Sequence, residues 1–254
     1  DANLVNAWGI AFNPTGPVWI ADNGANVSTL YDGAGNIISL VVAIPGGAPT
    51  GIVFSASQNA FRVTAGTKTG PSLFLFATER GTIAGWAPSV DFTNAITAVD
   101  NSASGAIYKG LALSAGGTGN LLYATDFHNR RIDVFDSAFQ PVHVSGGFVD
   151  SKIPANVAPF GIQAIGGDIY VTYAQQDADK VDDVHGRGLG FVDAFDPNGK
   201  LLQRVAIRGV LNAPWGLALA PAGFGRFTNR LLVGNFGDGH VNAFDAATGR
   251  WVGM

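Results

Sequence analysis

Five times along this chain a residue-glycine pair opens a short apolar stretch: Trp8-Gly9-Ile10-Ala11-Phe12, Thr50-Gly51-Ile52-Val53-Phe54, Lys109-Gly110-Leu111-Ala112-Leu113, Phe160-Gly161-Ile162-Gln163-Ala164 and Trp215-Gly216-Leu217-Ala218-Leu219. A recurrence of this kind constrains a fold more than any local propensity, because each repeat must be one supersecondary unit that hides its apolar face against the next. The glycine spacings of 42, 59, 51 and 55 residues lie near the roughly forty to fifty residues of a propeller blade once loop insertions are allowed.

Each opening is followed by a second strand: Val18 to Asp22, Phe61 to Ala65, Leu121 to Asp126, Ile169 to Tyr173 and Leu231 to Asn235. A third ends in an aromatic and a turn residue, as Tyr31-Asp32, Phe135-Asp136, Phe195-Asp196 and Phe244-Asp245. Turns such as Asp32-Gly33-Ala34-Gly35-Asn36 and Asp196-Pro197-Asn198-Gly199-Lys200 supply the positive-φ and proline positions of a hairpin, and a fourth strand follows. Short antiparallel strands leave sandwich, barrel or propeller open, and one motif per four strands selects the propeller. The expectation is an all-β chain, one β-propeller domain over residues 1–254, of four-stranded antiparallel blades near 6–45, 48–92, 108–145, 158–206 and 213–254. The fifth unit reaches Met254 within its fourth strand, so either five blades close on themselves or a sixth lies outside the sequence.

Composition agrees. Thirty-five glycines and 12 prolines beside 47% apolar residues describe many tight turns between many buried strands. Glu79 is the single glutamate among 19 acidic residues, and aspartate favours turns and caps over helix interiors. A net charge of -4, with Arg130-Arg131 the nearest thing to a basic cluster, argues against nucleic acid as a partner. No apolar run reaches the roughly 18–20 residues of a membrane helix. The absence of cysteine excludes disulfides and thiolate metal sites and fits an exported protein that avoids thiols about as well as a cytosolic one. Asp1 in place of an initiating methionine reads as a processed or trimmed N-terminus.

The stretch Leu121-Leu122-Tyr123-Ala124-Thr125-Asp126-Phe127-His128-Asn129-Arg130-Arg131-Ile132-Asp133-Val134-Phe135-Asp136 resembles an NHL repeat, and Val18 to Asp32 is a looser match, with Asp22 and Asn26 in place. The chain as a whole resembles an uncharacterised family of bacterial propellers, some members of which carry a C-terminal PEP-CTERM sorting signal. The segments that carry this likeness are Val99 to Gly110, Tyr173 to Asp196 and Ala213 to Gly225. The resemblance implies a secreted or cell-envelope protein and a family pattern of six blades; it brings no assigned activity.

Polar residues recur where second strands end: Asp22 and Asn23, Asp126, and Asn235. In gluconolactonase-type and NHL-lyase propellers, to which the similarity is architectural, a channel metal is held by residues of several blades. Oxygen donors from Asp and Asn would suit Ca²⁺ as the cofactor. The plainer reading is Asx turns closing hairpins. The loop Gln175 to Gly190 gathers Asp177, Asp179, Asp182, Asp183 and His185 and could hold a calcium ion or cover a channel end. It lacks the EF-hand pattern, and a solvated acidic loop is the alternative. His128 and His240 follow second strands and are candidate acid-base groups, since imidazole titrates near neutrality; as loop histidines they would do nothing. No G-x-S-x-G elbow is present. The five tryptophans, Trp8, Trp19, Trp86, Trp215 and Trp251, are expected between blades before they are expected on sugars.

The sequence therefore points to an extracytoplasmic propeller that binds a small-molecule ligand or a protein partner, or takes part in a surface assembly. The alternative is a metal-dependent hydrolase or lyase with Asp22, Asp126 and Asn235 as ligands and His128 or His240 as base.

Overall fold

The computed structural model describes residues 1–114 and 120–254. It is all-β, with five successive antiparallel sheets of the β-propeller class. Sheet one has strands Ala7–Phe12, Val18–Asp22, Val27–Tyr31 and Ile37–Ala43; sheet two has Pro49–Phe54, Phe74–Thr78, Thr82–Trp86 and Ile96–Asp100. Sheet three comprises Tyr108–Ser114, Leu121–Asp126 and Arg131–Phe135. Sheet four runs Val157–Ile165, Asp168–Gln175, Gly190–Phe195 and Leu201–Ile207, and sheet five Pro214–Leu219, Leu231–Asn235, Val241–Phe244 and Trp251–Gly253. In each the strands lie in sequence order, with a separate hairpin inserted between the first two strands of sheet two. The chain divides into two compact units, Asp1–Ala124 with Asp133–Val142, and Thr125–Ile132 with His143–Met254.

The turns between third and fourth strands explain how one sequence pattern builds one blade after another. Asp32 Oδ1 accepts hydrogen bonds from the amides of Ala34 and Asn36; Asp136 does the same for Ala138 and Gln140, and Asp196 for Asn198 and Lys200. Each carboxylate thereby fixes a five-residue turn whose fourth position needs positive φ. Gly35 at +82° and Gly199 at +78° meet that need without strain, whereas Phe139 adopts +62° in the third turn. Its ring lies buried, 5.3 Å edge-on from Phe61, and that packing offsets the left-handed conformation.

In the first unit, Trp19 stacks on Phe74 at 4.3 Å and leans on Trp86, with Leu30, Val42 and Ile52 around them. A second cluster joins Phe61, Leu75, Ile83, Leu111, Leu122 and Phe135. In the second unit Val192, Val205, Leu211, Leu231, Val233 and Phe244 pack together. Two of the opening glycines, Gly51 and Gly161, lie against the backbone of the sheet that follows: a Cβ on Gly51 would meet the Leu111 amide nitrogen at 2.3 Å, and one on Gly161 the Trp215 carbonyl oxygen at 1.9 Å. Glycine is required at both because backbone fills the space.

Blade two departs from the sequence reading. Arg62–Ala65 pairs with Lys68–Pro71 in a separate two-stranded hairpin, and the second strand of the blade is Phe74–Thr78. An inserted hairpin carries the same alternation as a blade strand, so periodicity alone could not separate them. The fourth strand, Ile96–Asp100, lies beyond the expected limit at residue 92. In blade three, the chain after Phe135 contributes an isolated bridge from Pro141 rather than a named fourth strand.

Candidate functional site

Within the second unit, sheet four places two carboxylates, a guanidinium and a phenol together. Asp193 lies opposite Val171 on one side and Arg204 on the other, while Tyr173 lies opposite Phe191 and Pro159. Period-two alternation puts Tyr173, Asp193 and Arg204 on one face. Asp150 comes from the preceding loop, where its Oδ1 accepts the Lys152 amide at 2.8 Å. Arg204 grips Asp150 with both arms of its guanidinium, Nε to Oδ2 and Nη2 to Oδ1, each at 2.5 Å. The Asp150 side chain is fully buried and that of Arg204 is 34% exposed.

Burial pushes the Asp150 carboxyl up, but the Arg204 fork, the Lys152 amide and the Arg204 charge outweigh it and hold the group below its usual range. Asp193 has no such grip. Burial first, and then the negative charge of Asp150, push it up to about 7, and its Oδ2 has no hydrogen-bond partner among the described residues. Two carboxylates thus share one guanidinium with unequal claims on it, which separates their titrations. Tyr173 is buried and its hydroxyl also lacks a partner among the described residues. Burial, Asp193 and Asp150 hold its pKa well above the ordinary phenol value, so it is a hydrogen-bond donor at any physiological pH.

The phenol lines a cavity of about 240 Å³. Phe148, Val149, Ile153, Val157 and Pro159 form an apolar wall, Asp150 and Tyr173 the polar points, and Arg130 and Arg131 add cationic groups. Phe148 is fixed against Phe195, with ring centroids 5.2 Å apart. Arg130 is tied by Nε to the Val157 carbonyl and by Nη2 to the Pro154 carbonyl.

The residues proposed from sequence fall in separate places. Asp22 is buried in the first unit; its Oδ2 accepts the Thr29 hydroxyl at 2.7 Å, its Oδ1 has no partner among the described residues, and burial raises its pKa. Asp126, also buried, closes an Asx turn on the Asn129 amide and side chain and faces Arg131 Nε at 3.5 Å, so both oxygens are engaged. Asn235 donates to the Val210 carbonyl. Asp177 caps its own loop through the Val181 amide, and Asp179 is exposed. His128 Nδ1 lies 3.3 Å from the Lys180 carbonyl. His240 pairs with Asp238 at 3.2 Å and lines a second cavity, of about 290 Å³, with Arg187, Asn242 and the half-exposed Trp251. Trp19 and Trp86 are buried between strands. Among the described residues no three or more His, Asp or Glu side chains gather at metal-holding distance.

Sequence reasoning missed Asp150, Tyr173, Asp193 and Arg204. One signal was available: Asp193 interrupts Gly190-Phe191-Val192-Asp193-Ala194-Phe195, a strand buried along its whole length, and an acid in such a run needs a reason.

No family model matches the sequence. The chain is 36% identical over 265 residues to the uncharacterized protein R648 of Acanthamoeba polyphaga mimivirus, matching all of this chain and 64% of that protein. It is 34% identical over 265 residues to the uncharacterized protein L690 of the same virus, again along its whole length and along 69% of the relative. The chain thus spans about two thirds of each. Among solved structures it is similar to the WD40 β-propeller domain of Doa1 (TM-score 0.56, 17% identity, 96% of this chain and 64% of that one). It is similar also to virginiamycin B lyase from Staphylococcus aureus (0.52, 15%, 95% and 67%) and to the gluconolactonase XC5397 from Xanthomonas campestris (0.51, 21%, 70% and 56%). These likenesses establish a β-propeller fold. The relatives are viral, not members of a bacterial PEP-CTERM family. The segments that carried the bacterial resemblance include the blade openings Lys109-Gly110 and Trp215-Gly216.

Proposed function

We propose, for a chain that belongs to the family of the mimivirus proteins R648 and L690, that it is a ligand-binding module and that its ligand enters the cavity beside sheet four. The observation that carries this reading is Tyr173, whose buried hydroxyl has no partner among the described residues and whose side chain lines a cavity walled on one side by Phe148, Val149, Ile153, Val157 and Pro159. A buried polar group left unmatched costs about 1–3 kcal/mol, and a ligand oxygen accepting that hydrogen bond would recover it. With Arg130 and Arg131 also lining the cavity, the ligand class is a small organic anion with an apolar body. A few placed polar groups in an apolar cleft are what such sites consist of.

The test is a thermal-shift and titration panel of small aromatic and aliphatic carboxylates, run on the native chain and on Tyr173→Phe. Binding by the native chain, weakened about tenfold by loss of one hydrogen bond, with the melting temperature of the free variant raised by a few degrees because the unmatched hydroxyl is gone, is the expected result. A panel without a binder, or equal affinity in the variant, overturns the reading. The lack of thiols suits work in an oxidising compartment, and an extracytoplasmic location is part of the proposal, to be checked by fractionation.

A second reading is a calcium-dependent hydrolase or lyase. The observation that bears on it lies within the first unit, where the buried Asp22 Oδ1 has no hydrogen-bond partner among the described residues. Asp126 does not fit it, because its oxygens already serve Asn129 and Arg131. Elemental analysis of the purified protein decides: stoichiometric calcium lost on Asp22→Asn supports the reading, and calcium at background removes it.

A further inference from the structure

The second cavity, of about 290 Å³, lies wholly within the second unit and shares no residue with the proposed anion site. Its rim comes from two corresponding loops. Arg187 stands between the second and third strands of sheet four, and Asp238 and His240 stand between the second and third strands of sheet five. Asn212 ties the loops together: its Oδ1 accepts the Gly186 amide at 2.6 Å, and its Nδ2 donates to Asp238 Oδ2 at 3.2 Å. A rim fixed by the chain itself lowers the ordering cost of binding.

The polar groups on this rim are oriented. Burial pushes the Asp238 carboxyl up, but hydrogen bonds from the His240 amide, Asn212 and Asn235 outweigh it and hold the group below its usual range. Asp238 is thus a carboxylate at neutral pH. His240 Nδ1 lies 3.2 Å from Asp238 Oδ1, so the neutral imidazole gives its N–H to the carboxylate and keeps Nε2 as an acceptor. Arg187, steered by Nε to the Gly209 carbonyl at 3.4 Å, brings donors. One acidic and one basic side chain on the same wall favour neither an anion nor a cation, and so point to a neutral polar ligand.

The remaining element of the wall is aromatic. Trp251 is 46% exposed, whereas Trp19 and Trp86 are buried, yet its ring is held at one edge, where Nε1 donates to Asn242 Oδ1 at 3.1 Å. An indole N–H only donates, which settles the orientation of the Asn242 amide. Asn242 also lines the cavity; it is 1% exposed, and its Nδ2 has no partner among the described residues. A half-exposed indole fixed at its edge presents a rigid apolar face with polar groups beside it.

A pyranose combines the two characters this wall requires, a face of C–H groups to lie on an indole and hydroxyls that each donate and accept. We propose that this cavity binds the pyranose ring of a neutral saccharide, stacked on Trp251, with neighbouring hydroxyls donating to His240 Nε2 and accepting from Arg187. Asn212 and Asn242 are positioning residues, the first for the rim and the second for the indole. The volume lies at the small end of ligand cavities, which begin near roughly 300 Å³, and suits a single sugar ring.

The test is saturation-transfer NMR on the native chain with glucose, galactose, mannose and N-acetylglucosamine, each as the free sugar and as its methyl glycoside. At least one is expected to bind, and Trp251→Ala to weaken it at least about tenfold, as loss of an aromatic anchor does. Arg187→Met changes an exposed side chain and so keeps the test open should Trp251→Ala fail to fold; it is expected to weaken binding about tenfold. Tyr173→Phe should leave the affinity unchanged. Binding of a methyl glycoside assigns the site to a sugar carried on a chain, and binding of a free sugar alone assigns it to a monosaccharide; either supports the proposal. No binding by any of these sugars overturns it, as does unaltered affinity in either variant that folds. Binding lost in Tyr173→Phe overturns it too, because the sugar would then occupy the cavity beside sheet four.

Discussion

Arg204→Met is expected to destabilise the protein by about 3–5 kcal/mol at neutral pH, the cost of leaving one member of a buried ion pair without its partner. The size follows from the asymmetry of the pair. The Arg204 stem is partly solvated, but the Asp150 carboxylate is wholly buried and would keep the Lys152 amide and the Asp193 carboxyl as hydrogen-bond partners with no cation beside it. Its pKa lies below the ordinary range largely because of Arg204, so the native pair contributes stability that is present above the unfolded carboxyl pKa and lost as pH falls through the folded one. The deficit of Arg204→Met should therefore shrink in acid, where Asp150 can take up a proton. The double variant Asp150→Asn/Arg204→Met should recover most of the loss, because a pair removed together leaves no uncompensated charge. Urea denaturation of the two singles and the double measures the coupling. Additive losses would mean that the fork contributes no more than a surface pair.

Asp193→Asn should do the reverse and stabilise the protein above neutral pH. The folded carboxyl titrates at about 7, against an ordinary value of 3.8. Below pH 4 the group is protonated in both states and contributes no difference. Between pH 4 and 7 the unfolded chain releases the proton first, so native stability falls by about 1.4 kcal/mol per pH unit. Above pH 7 the penalty is constant, at most about 4 kcal/mol by the same relation. Asparagine lacks that titration and can donate its amide to the neighbouring Asp150. The variant should match the native chain at pH 4 and exceed it at pH 8, with a flatter stability profile between. Parallel profiles from pH 4 to 8 would show that Asp193 is not the group responsible. Keeping an acid where an amide is more stable is the trade expected of a site that uses its proton or its charge.

Blade count and blade grammar were legible in the sequence, because both rest on interactions only a few residues long. The Asp32, Asp136 and Asp196 turns close on amides two and four residues ahead, and such contacts leave the same mark in every repeat. Asp126 likewise proves to be an Asx turn on Asn129. What the local pattern could not distinguish was strand from strand. Arg62–Ala65 alternates like a blade strand and is an inserted hairpin, since only pairing with Lys68–Pro71 decides its sheet.

The repeated residue-glycine opening, the turn aspartates and the apolar alternation thus determined the fold class and the order of the sheets from sequence alone. The cavity was decided by tertiary structure. Asp150, Tyr173, Asp193 and Arg204 span 54 residues and meet because strand register sets Asp193 opposite Arg204 and a loop returns Asp150 to the same guanidinium. The raised carboxyl and the unmatched phenol are products of burial. Desolvation depends on every neighbour that excludes water, a property of the packed chain that no stretch of sequence carries.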